Sequence, residues 1–287
     1  MNHPDPPNEC RVHHPAALCC DTAVDTDALE WPLLSAKDYA APSRFEPENL
    51  LREARRQRNL PEMAAPAVAV LDPDGDIARH LAASGRGRRH LDWACYHTEM
   101  WTVDLAGMEV GVVGMAVGAP FAVLVAEQLA ASGAELVVSV TSAGQIGEIE
   151  RLPCFVFIDR ALRDEGTSSH YQPPERWSHL DDKIRARLDG AFEGLAEPVL
   201  VGASWTTDAP YRETETAIAA AAKKGVVCVE MEAAALYAYA AARRRQVVCL
   251  AHVTNTMATA GDDFEKGVDN GVHDALAAVR AAAVALL

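Results

Sequence analysis

Two glutamates, Glu230 and Glu232, stand two residues apart in the string VEMEAA, where a β-branched apolar run gives way to an alanine-rich one. The run before them, GVVCV, has the composition of a short buried strand. The run after them, AAALYAYAAARRR, contains strong helix formers and ends in arginines, which suit the negative end of a helix dipole. Carboxylates in so apolar a setting have two physical uses. They can accept hydrogen bonds from the unpaired amides that open a helix and sit at its positive end. Alternatively, one of them can face a pocket and accept two hydrogen bonds from the hydroxyls of a ligand, a pairing that dry walls strengthen.

The elements that must position such a group are those of an α/β chain. APAVAVL reads as a buried strand ending at DPDGD, followed by the helix IARHLAAS. MWTVDLAGMEVGVVGMA reads as a hairpin with its turn at Ala106-Gly107, and APFAVLVAEQLAAS as a helix. AELVVSV is a strand that runs into the small-residue loop TSAGQI, and CFVFIDRAL is another. RDEGTSSHYQPPE is a polar loop, and WSHLDDKIRARLDGAF has helical spacing. PVLVGASWTT, GVVCVE and QVVCLAHVTN are strands, with the helix ETAIAAAAKK before the second and a closing helix at the C-terminus. Apolar strands alternating with helices predict a single α/β domain, with a mixed, largely parallel central sheet flanked by helices. In such a sheet ligands bind beyond the carboxyl ends of the strands. DPDGDIAR, TSAGQIGE, WTTDAPYRE and VEMEA occupy that position. Residues 1–64, rich in proline and in the charged stretch EPENLLREARRQRN, read as an N-terminal extension carrying one helix, and residues 65–287 as the catalytic domain.

A formal net charge of −15 opposes nucleic acid and anionic membranes as partners. A local arginine or a helix N-terminus could still hold a small anion. The seven cysteines form no C-x-x-C pair, and Cys10, His13, His14 and Cys19 match no standard zinc spacing, so no metal is expected. Reduced thiols and a polar N-terminus predict a cytoplasmic protein.

From about Ala65 onward these residues resemble the nucleoside phosphorylase-I family, particularly its uridine-phosphorylase and hexameric purine-nucleoside-phosphorylase branches. In that family VEMEAA lies at a strand end, where the second glutamate binds the ribose 2′- and 3′-hydroxyls and the methionine packs on the sugar. The resemblance thus assigns Glu232 and Met231 to the sugar and leaves Glu230 structural. GDIAR resembles the family's G-D-x-x-R grip on phosphate, with Gly75 as backbone donor and Arg79 as cation; taken alone, Arg79 equally suits a solvated helix face. VTSAGQI resembles its G-T/S-x-G segment, in which Ser142 and Gly144 match, with Thr141 beside them. Asn255, in AHVTNTMA, stands where purine branches carry a proton-donating aspartate; asparagine hydrogen-bonds a base but is no general acid. TTDAPYRET corresponds to the base-facing segment, with Pro210 at the usual stacking position, Trp205 and Tyr211 nearby, and Asp208 and Arg212 as polar partners. His170 falls in a loop that either reaches the sugar or base or lies on the surface, and His252 reads as a core histidine.

The chain departs from that family at two arginines. Ser139 stands where a second phosphate arginine is usual, and CYHTE, where a third is supplied across an interface, offers only His97. Two missing charge-assisted contacts remove several kcal/mol of phosphate binding, at roughly 1.5–3 each. Arg163 and Arg212 are the candidates to replace them. The resemblance implies a homo-oligomer, dimer or hexamer, that cleaves a pyrimidine or 6-oxopurine nucleoside with inorganic phosphate as co-substrate and without a cofactor. Catalysis rests on Glu232, Asn255 and Arg79. Hydrolysis on the same fold and catalytically weak nucleoside binding are the alternatives. A dinucleotide-binding fold ranks last, since no G-x-G-x-x-G follows the first strand.

Overall fold

The computed structural model describes residues 32–35, 37–255 and 266–287. Cys10, His13, His14 and Cys19 lie outside these residues. The chain divides between Ser35 and Ala36, and the unit from Ala36 to Leu287 is the one described below. It opens with helix α1 (Pro47–Arg58), whose Leu51 and Ala54 are buried among Ala94, Leu60 and Ala131, the last on α3 (Ala119–Ala131). Strand β1 (Val68–Asp72) is buried along its whole length because β4 (Glu109–Gly114) and β5 (Leu136–Gln145) both pair with it in parallel. Helix α2 (Asp76–Ser84) follows β1, and then come the two-residue strand β2 (Arg88–Arg89) and β3 (Met100–Asp104). The β3–β4 hairpin turns where the sequence places it. Ala106 and Gly107 both have positive φ, and Asp104 Oδ1 accepts the Gly107 amide at 3.0 Å. Two positive φ values match the twist of the flanking strands.

The second half adds β6 (Cys154–Asp164), β7 (Trp177–His179), α4 (Asp182–Arg187), β8 (Val199–Thr207), α5 (Glu215–Ala222), β9 (Val226–Glu230), α6 (Ala233–Arg243), β10 (Gln246–Asn255) and α7 (Val272–Leu286). One mixed sheet results, in the order β10-β6-β8-β9-β5-β1-β4-β3-β2. Its parallel portions are β4-β1-β5-β10 and β6-β8-β9; β10 also pairs with β5, so β5, β10, β6, β8 and β9 close into a ring. Helices α3 and α6 pack on each other, as do α2 and α7.

Two segments differ from the sequence reading. TSAGQI is no loop: β5 continues to Gln145, because Gly144 and Gln145 pair with Val229 and Cys228 of β9. Trp177 opens a strand instead of a helix, since Ser178 pairs with Ala161 on β6. The helix starts only where Asp181 accepts the Lys183 and Ile184 amides. Cys95, Cys154, Cys228 and Cys249 are free and buried, and no described helix is long and apolar enough to cross a membrane.

Candidate active site

Glu230 and Glu232 have opposite fates. Glu230 ends β9 with both carboxylate oxygens occupied. Oε1 accepts the hydroxyls of Ser204 (3.0 Å) and Thr206, and Oε2 accepts the amides of Glu232 and Ala233, both at 2.7 Å. Thr206 in turn accepts the Ala234 amide at 2.9 Å. No side chain at the N-cap position of α6 performs this task, so Glu230 satisfies the helix's first amides from the preceding strand.

Glu232 is 1 % exposed and only half-satisfied. Its Oε1 accepts the Gly118 amide, at the start of α3, at 2.7 Å. Its Oε2 is buried with no partner. Burial, followed by the Glu230 charge, pushes the carboxyl up to about 8, while the Gly118 amide and the adjacent Thr141 hydroxyl, which here donates to the Ser142 carbonyl at 3.3 Å, pull it down. Leaving a buried acceptor unpaired costs on the order of 1–3 kcal/mol, which marks the place where an incoming donor is worth most. Met231 beside it is half-buried, and Thr141 is buried on β5.

The loop after β1 is organised by Asp72, whose oxygens accept the amides of Gly75 (3.1 Å) and Ala78 (2.9 Å). Burial pushes this carboxyl up to about 7. The Gly75 amide is therefore turned inward to Asp72. Gly75 has φ 75°, and a Cβ there would meet Met115 Sδ at 2.4 Å. Gly75→Ala is expected to lose about 1–2 kcal/mol in denaturant unfolding. Arg79 is 57 % exposed and donates to the Asp74 carbonyl and to Asp76 Oδ1, each at 2.7 Å. Lys266 Nζ binds Asp76 Oδ2 at 2.6 Å and lies 3.5 Å from Asp74 Oδ2. Asp74 Oδ2 accepts the Ser142 amide at 2.7 Å. Asp74 also helps to raise Glu232, which places this loop and the Glu232 carboxylate within one electrostatic neighbourhood. Between Asp74, Ser142, His252 and Lys266 lies a niche of only about 20 Å³.

Sequence reasoning missed Asp74 and Lys266. Lys266 carries a sequence signal, as the sole Lys or Arg in residues 256–271; Asp74 shows only as one more loop acid.

The other expected residues scatter around this centre. Gly144 lies on β5 opposite Asn255, the last residue of β10. His97 is exposed and packs edge-on against Phe121 of α3 at 6.3 Å. Asp208 accepts the Gly166 amide at 2.9 Å, and Pro210, Tyr211 and Arg212 form a short turn after β8 in which Tyr211 is 99 % exposed. Trp205 is a core residue whose indole N–H binds Asp164 at 3.0 Å. His170 is exposed. Arg163 donates to Ser168 Oγ and to the Pro173 carbonyl, both at 2.7 Å, so it braces its own loop and does not replace a phosphate arginine. Arg212 makes no ion pair with the described residues. The Ser139 hydroxyl is buried without a partner. His252 is buried against Phe155 at 4.5 Å with Nε2 2.9 Å from Glu197 Oε2, the satisfied core position expected of it.

Two other features lie apart from these residues. A cavity of about 500 Å³ between α4 and the end of α6 contains none of them. Among the described residues one group has metal-ligand geometry, His80, Asp269 and His273, with ligand atoms within 4.8 Å of one another. The Arg86 guanidinium lies 3.4 Å from His273 Nδ1, where it opposes a cation.

Glu232, buried and half-satisfied, follows β9, and Arg79 on α2 follows β1, with β5 lying between those two strands. Residues 68–287 match the phosphorylase superfamily, and the chain belongs to it. It is 26% identical to a guanosine phosphorylase from Halorubrum lacusprofundi over 164 residues, 57% of this chain and 67% of that one. It is 27% identical to a uridine phosphorylase from Thermococcus kodakarensis over 148 residues, 48% of this chain and 53% of the relative. The chain thus matches about half the length of that second relative. In three dimensions it is similar to a uridine phosphorylase from Vibrio fischeri, with a TM-score of 0.59 and 21% identity, over 77% of this chain and 88% of the other.

Proposed function

We propose that this protein is a nucleoside phosphorylase, which cleaves the N-glycosidic bond of a pyrimidine or 6-oxopurine nucleoside with phosphate to give the free base and ribose 1-phosphate. The observation that carries this reading is Glu232 Oε2, a buried carboxylate oxygen without a partner at the carboxyl end of the sheet. A ribose cis-diol supplies the donor that this oxygen lacks, and ionised Glu232 then accepts from both hydroxyls. With the sugar so held and Met231 against it, the C1′–N bond loosens towards an oxocarbenium-like cation. A phosphate oxygen bonds to C1′, and the bonding pair leaves with the base. Asn255 and the turn from Asp208 to Arg212 stabilise the departing base, with His170 and His97 at the rim. Arg79, Ser142 and Gly144 border the phosphate. Orientation and electrostatics carry the rate, so the chemistry requires neither a covalent nucleophile on the protein nor a cofactor or metal. The residues named all come from 65–287, the proposed catalytic domain, with 1–64 as an extension. We place the enzyme in the cytoplasm as a homo-oligomer.

Hydrolysis is the second reading, and one observation favours it. The niche of about 20 Å³ bordered by Asp74 and Ser142 suits one water, which needs roughly 10–15 Å³ of such volume, better than a phosphate.

The test is base release from a panel of purine and pyrimidine nucleosides, with and without phosphate, followed by chromatography. Release that requires phosphate and yields a sugar 1-phosphate is the expected result. Release of free ribose without phosphate overturns phosphorolysis in favour of the hydrolase.

A further inference from the structure

We propose that the Asp74 carboxylate is a resident occupant of the anion site, which phosphate must displace, and that this residue sets how much phosphate the enzyme needs. The inference rests on the phosphorolytic reading above and adds a specificity determinant to it. Asp74 Oδ2 takes the backbone amide of Ser142 at 2.7 Å across 68 residues of sequence, and the Lys266 ammonium stands 3.5 Å from the same oxygen. An amide N–H and an ammonium converging on one anionic oxygen are what an anion site supplies to its ligand. Here the ligand is the chain's own side chain.

The space agrees with the chemistry. With Asp74 in place the niche holds about 20 Å³, room for little more than a water. The charges agree as well. Arg79 and Lys266, the two cations of this corner, face Asp76 and Asp74, and a third acid, Asp72, lines the same niche. A dianion entering beside both carboxylates meets no net positive charge. If Asp74 swings outward, it vacates the Ser142 amide and removes one of the three acids that oppose an incoming anion there. Asp74 can make that motion, because its side chain is 34% exposed in a loop and its backbone carbonyl, which holds Arg79, need not move.

The experiment compares the full-length wild type with Asp74→Ala and Asp74→Asn. It reads the phosphate dependence of nucleoside cleavage and, separately, inorganic phosphate binding by calorimetry. Removing the carboxylate is expected to lower the phosphate KM and Kd at least tenfold in Asp74→Ala. Asp74→Asn, which keeps an acceptor for Ser142 without the charge, is expected to fall between the two. A wild type that requires phosphate, with a KM and Kd that neither variant lowers, overturns the role of Asp74 and leaves the phosphorylase reading standing. A wild type that hydrolyses nucleosides without phosphate overturns that reading. Asp74→Ala then decides the inference independently: a gain of phosphate binding upholds it, and its absence overturns it. Thermal unfolding of both variants checks that the comparison is between folded proteins.

Discussion

Glu232→Gln is expected to lose at least about 10²-fold in kcat/KM for nucleoside cleavage while remaining folded, measured by steady-state kinetics alongside thermal unfolding. The magnitude follows from the bonds at stake. Two charge-assisted hydrogen bonds to a sugar diol contribute roughly 1.5–3 kcal/mol each, and each 1.4 kcal/mol is tenfold. Glutamine retains the shape and can still accept the Gly118 amide that Glu232 Oε1 accepts at 2.7 Å, so the local backbone keeps its anchor. Near-normal turnover in a folded Glu232→Gln protein would remove the diol role.

The same substitution has an effect on stability that can be read without substrate. Burial, then the Glu230 charge, push Glu232 up to about 8 from an ordinary 4.5. Between these two values the folded chain binds more protons than the unfolded one. The contribution of this carboxyl is therefore complete below pH 4.5, falls as pH rises, and is gone above about pH 8. Glutamine does not titrate. The melting temperature of Glu232→Gln is thus expected to gain on the wild type from pH 5 to pH 8, by about 3 °C or more at the upper end. Asp72, whose shift has other causes, titrates in both proteins and cancels in the difference, whereas Glu230, whose charge faces Glu232, adds to it. Since a bound diol favours the carboxylate, substrate binding in this range also releases a proton, and the nucleoside KM falls towards pH 8.

What could be read without coordinates followed from local chemistry. The hairpin at Ala106-Gly107 and the strand-to-helix passage at VEMEAA announce themselves because turn geometry and composition act within a few residues. Trp177 to Phe192 misleads because Trp177, Leu180, Ile184 and Leu188 repeat at helical spacing, while the pairing of Ser178 with Ala161 on β6 decides the backbone. The small residues of TSAGQI suggest a loop until β9 is known to lie beside them. The site divides in the same way. Glu232 and Arg79 sit in recognisable strings, whereas Lys266 reaches Asp76 across 190 residues and Asp74 reaches Ser142 across 68, separations over which spacing carries no information.

Glu230→Ala tests the other carboxylate, and there the expected loss is of the fold itself. Glu230 is buried and accepts four donors, the hydroxyls of Ser204 and Thr206 and the amides of Glu232 and Ala233. Alanine leaves all four facing a dry cavity. Each buried donor without an acceptor costs on the order of 1–3 kcal/mol. Removing the raised charge beside Glu232 returns part of this, since Glu230 is one of the causes of the Glu232 shift. The net expectation is a loss of about 3–5 kcal/mol in denaturant unfolding, a large share of the 5–15 kcal/mol that ordinarily holds a domain together. Activity falls with the folded fraction, and also because the bend carrying Met231 and Glu232 loses the acceptor that sets it. Glu230→Gln separates these causes. Its amide oxygen still accepts part of the donor set, so it is expected to recover more stability than alanine does. Its residual activity should track its folded fraction, as a positioning residue requires. Were Glu230→Gln fully folded yet as inactive as Glu232→Gln, the two carboxylates would have to act on the sugar together, and the division of roles drawn from their partners would fail.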